Sequence, residues 1–259
     1  SLIFPILYCI IDLPLNMKRG FPMRDTVKID KRGVRLIAHR GLSGIEQENT
    51  CAAFIAAANR ESYYGIETDV YRTSDGKYVL HHDDRVCTGA YIPETDFDTL
   101  RAVVMEDKDG RERWDLRVPT LDEYVRICKN YGKVGVLEIK QPELPVEYLR
   151  EIIDIIKAED YLDGIIFIGF SFENMLNIRK MLPDQTVQFL SFDWKDEYFD
   201  MLVRNRIDLD IAYGALTEEN AHRLHEAGVE INIWTCDSAE VAEKYIGYGV
   251  DYITTDILE

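Results

Sequence analysis

Glu67 and Asp69 stand two residues apart in the run GIETDV, and Glu138 and Lys140 stand two apart in VGVLEIK. Both runs read as strands, and side chains two apart on a strand point to the same face. An acid on the buried face of a strand must be paired, protonated or metal-bound, because an isolated buried charge is very costly. Three carboxylates from two neighbouring strands make an all-oxygen donor set, the kind that suits Mg2+ or Ca2+. Plain ion pairing is the other arrangement open to these residues, Glu67 with Arg40 and Glu138 with Lys140 or Arg72. His39-Arg40 closes the run RLIAH, and His81-His82 follows YVL. Two histidines beside a cation supply a general acid and a general base near neutral pH. His39 and His82 fit those parts; His81 alternates away from His82, and His222 and His225 lie three apart on an amphipathic helix.

Those residues need elements that bring them together. From Arg35 onward, eight short apolar runs rich in β-branched residues alternate with longer amphipathic ones. The strand runs are Arg35–His39, Gly65–Val70, Val134–Lys140, Ile165–Phe170, Thr186–Ser191, Leu209–Gly214, Glu230–Thr235 and Asp251–Asp256. The stretches between them carry helical spacing, as in EIIDIIK, with Ser, Thr or Asp near their starts. This pattern predicts a mainly parallel sheet with helical crossovers, and eight strands favour a closed (β/α)8 TIM barrel. The GxGxxG fingerprint of a doubly wound dinucleotide-binding sheet is absent. In a barrel, groups at the C-terminal ends of strands do the chemistry, which selects His39, Arg40, Glu67, Asp69, Glu138, Lys140, Trp234 and Asp256.

Only Thr73-Ser74-Asp75-Gly76-Lys77 separates the second strand from YVLHHD, too short for a parallel crossover. Asp-Gly marks a tight turn, so the second strand should fold back as a hairpin. With the turn centred near Asp75-Gly76, position 69 is expected opposite position 82. Residues 84–118 fit no barrel unit and are expected to form an inserted subdomain at the mouth. The expected organisation is an N-terminal extension, 1–34, and one barrel domain, 35–259.

The formal charge of −17 excludes general affinity for nucleic acid, which needs clustered Lys and Arg. Five dispersed cysteines without CxxC spacing point to reduced thiols, a cytoplasmic setting and no zinc site. Leu2–Leu15 is apolar but interrupted by Pro5, Asp12 and Pro14, and is shorter than a membrane span of about 20 residues. A tail packed on the barrel is expected there, with a membrane-contacting segment as the alternative.

The segment AHRGLSGIEQENTCAAFIAAANRESYYGIETDVYRTSDGKYVLHHDD resembles the signature of the glycerophosphodiester phosphodiesterase family: HRG, PENT, ExD, T-x-DG and HD in order. The resemblance continues through PTLDEY, LEIK, Ser171-Phe172, Trp234-Thr235 and GVDYITTD, from about Arg35 to the C-terminus. It implies that His39 and His82 are the acid/base pair and that Glu67, Asp69 and Glu138 hold one divalent cation, Mg2+ or Ca2+. It further implies that Arg40 and Lys140 face the phosphate and that Trp234 walls the pocket. Glu48 and Asn49 would support the first loop, Glu48 orienting Arg40. The insertion implies a glycerophosphodiester substrate over cyclic or lipid ones. Gln47 replaces the family's usual proline, and Cys236-Asp237 replaces an apolar residue and asparagine, an added acid expected to alter the pocket's alcohol side.

The expected reaction is metal-dependent hydrolysis of a glycerophosphodiester to glycerol 3-phosphate and an alcohol, by two-histidine catalysis through a cyclic phosphate. A lysophospholipase D-like or phospholipase D-like activity on lipids is the alternative within enzymes, and a silent phosphate-ligand-binding barrel the alternative outside them.

Overall fold

In the computed structural model, which describes residues 25–259, the alternation of the sequence becomes a ring of strands wrapped by helices. In chain order the elements are β1 (Arg35–Ala38), α1 (Cys51–Ala58), β2 (Tyr63–Arg72), β3 (Tyr78–Leu80) and α2 (Phe97–Ala102). Next come β4 (Met105–Glu106), β5 (Glu112–Arg113), α3 (Leu121–Tyr131), β6 (Val134–Ile139) and α4 (Val146–Ala158). The chain continues through β7 (Ile165–Gly169), α5 (Phe172–Met181), β8 (Val187–Ser191), α6 (Asp196–Asn205) and β9 (Asp208–Ala212). It finishes with α7 (Glu218–Glu226), β10 (Ile231–Trp234), α8 (Ala239–Gly247) and β11 (Tyr252–Thr255). The apolar stretch Leu2–Leu15 lies outside the described residues.

Among the described residues eight parallel strands pair in the order β1-β11-β10-β9-β8-β7-β6-β2, and β1 also pairs with β2, closing the barrel. Parallel strands are covered on both faces, so their sequences are mainly apolar; every residue of Ile165–Gly169 and Val187–Ser191 is buried, Gln188 and Ser191 included. Helices start where the polar punctuation stands. Thr50, Thr120, Ser171, Thr217 and Ser238 each accept the backbone N–H three residues on. Thr120 and Glu123 form a reciprocal capping box, and loss of such a cap costs about 0.5–2 kcal/mol. The main core lies between strands and helices; a second, smaller one (Ile37, Val136, Ile166, Ile168, Leu190, Tyr252) fills the barrel interior.

Strand β2 runs beyond the ring and turns back into β3 as an antiparallel hairpin. Thr73 and Lys77 close its loop, Gly76 taking the left-handed conformation (φ 79°) that the turn requires and that glycine adopts without steric cost. The register pairs Val70 with Leu80, so Asp69 stands opposite His81, whose N–H donates to the Asp69 carbonyl. The turn is centred on Asp75 rather than on Asp75-Gly76, which corrects the expected register by one residue. His82 reaches the mouth for a different reason: β3 ends at Leu80, and the chain bends at His82-Asp83-Asp84. Residues 84–118 contribute α2 and the β4–β5 hairpin, and Val86, Ile92, Leu100 and Val118 pack with Tyr71 and Val79 in a third apolar cluster.

Candidate active site

The first loop is held in a strained shape around the acids. Arg40 (φ 54°) and Asn49 (φ 50°) both adopt the left-handed conformation, which costs a non-glycine residue free energy and is found where the surroundings enforce it. The Arg40 backbone N–H donates to Glu67 Oε2 at 2.8 Å. Its guanidinium Nη1 donates to both Glu48 oxygens, at 3.0 and 3.1 Å, and its Nε lies 3.8 Å from Asp69 Oδ2. Asn49 accepts from Thr68 Oγ1 at 2.6 Å and donates to Asp69 Oδ2 at 2.8 Å. Between them, Gly41 (φ 78°) lies so close to α1 that a Cβ there would meet the backbone carbon of Ala53 at 2.6 Å. Only glycine fits.

Asp69 and Glu138 are register partners on adjacent β2 and β6, so the parallel ladder itself sets the two carboxylates side by side. Glu67, Asp69 and Glu138 are all buried, and one oxygen of each lies within 4.8 Å of the others. Lys140 Nζ lies 3.1 Å from Glu138 Oε1 and 3.4 Å from Asp69 Oδ1. Burial, reinforced by the neighbouring carboxylates, raises Glu67 well above the usual carboxylate range and pushes Glu138 up to about 8. Burial acts the same way on Asp69, but Lys140 and Arg40, with His82 and Asn49, outweigh it and hold that carboxyl low. Two cations face three acids, and Arg40 is shared with Glu48. Two of the three carboxyls are thus kept from ionising by burial and by one another, and this crowded all-oxygen donor set fits a hard divalent ion, whose charge would relieve the repulsion. Of the plain ion pairs open at the outset, Glu138–Lys140 forms; Arg72 instead meets Glu151, and Glu67 takes the backbone of Arg40 rather than its guanidinium.

His39 continues β1, its N–H bonded to the carbonyl of Thr255 on β11. Its Nδ1 lies 2.7 Å from Asp256 Oδ1, and Ser43 Oγ donates to the same oxygen at 2.8 Å. His82 Nδ1 lies 2.8 Å from Asp83 Oδ1. A carboxylate only accepts, so each Nδ1 carries the proton and each Nε2 is left for a ligand. Burial lowers the His82 pKa, with Lys140 and Arg40 adding to the effect against the opposing pull of Asp69.

Both histidines, Arg40, Glu67, Glu138 and Lys140 line a cavity of about 290 Å³ at the C-terminal end of the barrel. The opposite wall is aromatic. Phe170 and Phe192 stack with ring centroids 4.7 Å apart, and Trp234 meets them edge-on at 5.8 and 5.1 Å. His81 turns to the Asp83 carbonyl, and His225 pairs with Asp251, away from the cavity. Asp237 does not enter the alcohol side as expected: exposed and outside the cavity lining, its Oδ1 accepts from Thr255 Oγ1 (2.9 Å) and the Asp256 N–H (2.7 Å). The added acid caps the end of β11, and Cys236 is fully buried in the main core.

Sequence reasoning gave Asp256 no role beyond ending a strand, and it passed over Asp210, Phe170 and Phe192. The strand-end rule carried a signal for Asp256, but its pairing with His39 depends on β11 closing the ring against β1. Asp210 sits mid-strand in LDIA, where alternation alone leaves open which face meets the cavity.

Comparison with known proteins identifies the family and matches the fold. Residues 39–259 match the glycerophosphoryl diester phosphodiesterase family. A glycerophosphodiester phosphodiesterase of Caldanaerobacter subterraneus is 30% identical over 227 residues, 85% of this chain and 93% of the relative. A crystal structure of a glycerophosphodiester phosphodiesterase from Parabacteroides distasonis superposes with a TM-score of 0.73 at 24% identity, covering 86% of this chain and 93% of that one. An Oleispira antarctica phosphodiesterase solved in complex with the product sn-glycerol-3-phosphate superposes at 0.72 and 22% identity, covering 86% and 92%. The chain belongs to the glycerophosphoryl diester phosphodiesterase family, and it is an enzyme of that class.

Proposed function

We propose that this enzyme hydrolyses glycerophosphodiesters to glycerol 3-phosphate and an alcohol, using His39 and His82 as its acid and base. The observation that carries this reading is the convergence on one cavity of two carboxylate-backed imidazoles, two cations and a buried acidic triad that opens onto it through Glu67 and Glu138. Glu67, Asp69 and Glu138 would hold one divalent cation, Mg2+ or Ca2+, which when bound supplies Lewis-acid polarisation of a phosphoryl oxygen. Arg40 and Lys140 face the non-bridging oxygens and spread the charge that develops on them. Glu48 fixes Arg40 through both of its oxygens, and Asn49 holds Asp69.

His82, kept neutral by burial and its two cationic neighbours, takes the proton of the glycerol 2-hydroxyl as that oxygen attacks phosphorus. The new phosphorus–oxygen bond forms as the bond to the alcohol breaks, and His39 delivers its Nε2 proton to the departing oxygen. A cyclic phosphate results. His39 then accepts a proton from the water that opens it, and His82 returns its own to the 2-oxygen. Asp256 and Asp83 hold the rings so that Nε2 does this work in both steps.

The test is a coupled assay for glycerol 3-phosphate released from sn-glycero-3-phosphocholine with Mg2+ or Ca2+. Purified protein that releases none overturns the reading. The half-exposed aromatic pair Phe170–Phe192 at the rim favours one second reading, a lipid alcohol arm. Higher kcat/KM on lysophosphatidylcholine than on sn-glycero-3-phosphocholine would select it.

A further inference from the structure

The acids, cations and histidines account for the phosphate end of the cavity but leave its base without a role. Asp210 on β9 is 2% exposed and lines the cavity, yet its Oδ1 has no hydrogen-bond partner among the described residues. Burial and the charge of Glu138 raise the Asp210 carboxyl well above the ordinary range, and a buried carboxyl oxygen without a partner is destabilising. Its register neighbour Asn232 on β10 donates to Gln188 Oε1 at 3.4 Å and accepts from Thr254 Oγ1 at 3.1 Å. Gln188 Nε2 likewise lacks a partner among the described residues. Buried polar side chains thus occupy four consecutive strands, β8 to β11, among an apolar interior that Leu190 and Tyr252 of β8 and β11 share with Ile37, Val136, Ile166 and Ile168. Of these side chains Asp210 and Thr254 line the cavity, and an unanswered carboxyl oxygen beside a hydroxyl suits a neutral hydroxylated ligand, which both gives and accepts hydrogen bonds.

Depth decides which part of a substrate reaches them. Asp210 pairs in register with Leu190, two positions before Phe192 on β8, so it lies one inward step below the aromatic rim. An arm that passes the phosphate centre into the barrel meets Asp210; the arm that leaves meets Phe170, Phe192 and Trp234.

We propose that Asp210 is a specificity residue that accepts a hydrogen bond from the terminal hydroxyl of the substrate's glycerol arm, in a polyol subsite shared with Thr254 and backed by Asn232. This rests on the proposed glycerophosphodiester reaction, in which the 2-hydroxyl is used in the attack and the terminal hydroxyl is left to be recognised.

The experiment measures binding of sn-glycerol 3-phosphate, propane-1,2-diol 1-phosphate (which lacks the terminal hydroxyl) and inorganic phosphate, with Mg2+ in every arm. Wild-type protein should prefer glycerol 3-phosphate over the diol phosphate by about tenfold or more. Asp210→Ala should erase that preference while inorganic phosphate binding stays within about twofold of wild type. Asp210→Asn, which keeps an acceptor oxygen in nearly the same volume, should retain part of it. Equal wild-type affinity for the two organic phosphates overturns the subsite, even if Asp210→Ala fails to fold. A loss in Asp210→Ala that is equal for all three ligands overturns it as well. Wild-type protein that cleaves glycerophosphodiesters but fails either criterion removes the subsite alone. Wild-type protein that neither cleaves them nor binds glycerol 3-phosphate removes the underlying reaction and the subsite together.

Discussion

The Nδ1 atoms of His39 and His82 sit 2.7 and 2.8 Å from the carboxylates of Asp256 and Asp83, and these contacts set what each ring can do. A group that transfers a proton in the transition state contributes about 10²–10⁴-fold, so His39→Ala and His82→Ala should each lower kcat by that range with KM little changed. Asp256→Asn should cost less, because the ring remains and only its orientation and tautomer are released. The check is steady-state kinetics on sn-glycero-3-phosphocholine with thermal unfolding as a control for folding. A His82→Ala enzyme with near-full turnover would remove the two-histidine mechanism. Arg40 is held against its backbone preference by Glu48 and the Glu67 contact. Glu48→Gln should therefore raise KM by weakening the alignment of the guanidinium with phosphate.

At the scale of elements, the β2–β3 hairpin determines whether the histidines meet. One histidine comes from the ring itself, the other from a hairpin whose turn depends on Gly76 at φ 79° and on Asp75, which accepts from Thr73 Oγ1 and the Phe97 N–H. A β-branched residue at a left-handed position costs roughly 1–2 kcal/mol or more, so Gly76→Val should destabilise the protein by about that much. It should also lower kcat while leaving divalent-ion affinity near wild type, since the acids are held by the β2–β6 ladder. Parallel losses of turnover and ion affinity would mean the hairpin supports the acids too. The hairpin and its short turn were legible in Asp75-Gly76. The one-residue register was not, because a three-residue loop and a two-residue loop read alike until the closing pair, Thr73 and Lys77, is seen.

For the molecule as a whole, charge makes stability depend on ions and on pH. Three buried acids converge in a chain of formal charge −17, so a divalent ion that binds the folded state alone should raise the melting temperature. At a concentration 100 times Kd the stabilisation is about 2.7 kcal/mol. EDTA should reverse it, and Glu67→Gln should reduce it strongly; an unchanged melting temperature with Mg2+ and with Ca2+ would remove the ion from this site. At the other end of the barrel, Glu259 receives Thr26 Oγ1 at 2.6 Å and lies 2.8 Å from Lys28 Nζ and 3.2 Å from Arg60 Nε. Burial pushes its carboxyl up, but Lys28 and Thr26 outweigh that and bring it to about 2. A depressed folded-state value means the contribution is complete above the ordinary range near 4.5 and fades as pH falls toward 2. Glu259→Gln should cost of order 1 kcal/mol at neutral pH, and the difference from wild type should close by about pH 2 in acid unfolding.

Alternation of apolar runs with amphipathic ones, and the residue types at strand ends, determined the barrel, the acidic triad on β2 and β6 and the candidacy of His39 and His82. These are local properties, because strand period and helix period are written in neighbouring residues. Closure was not local. That Asp256 meets His39, that Asp237 caps β11 instead of entering the pocket, and that Asp210 opens onto the cavity all depend on which strands lie side by side and at what depth. Pairing between β1 and β11 joins residues more than two hundred positions apart. Side chains acquire partners across such a seam only when the whole ring has formed, so those contacts belong to the tertiary structure alone.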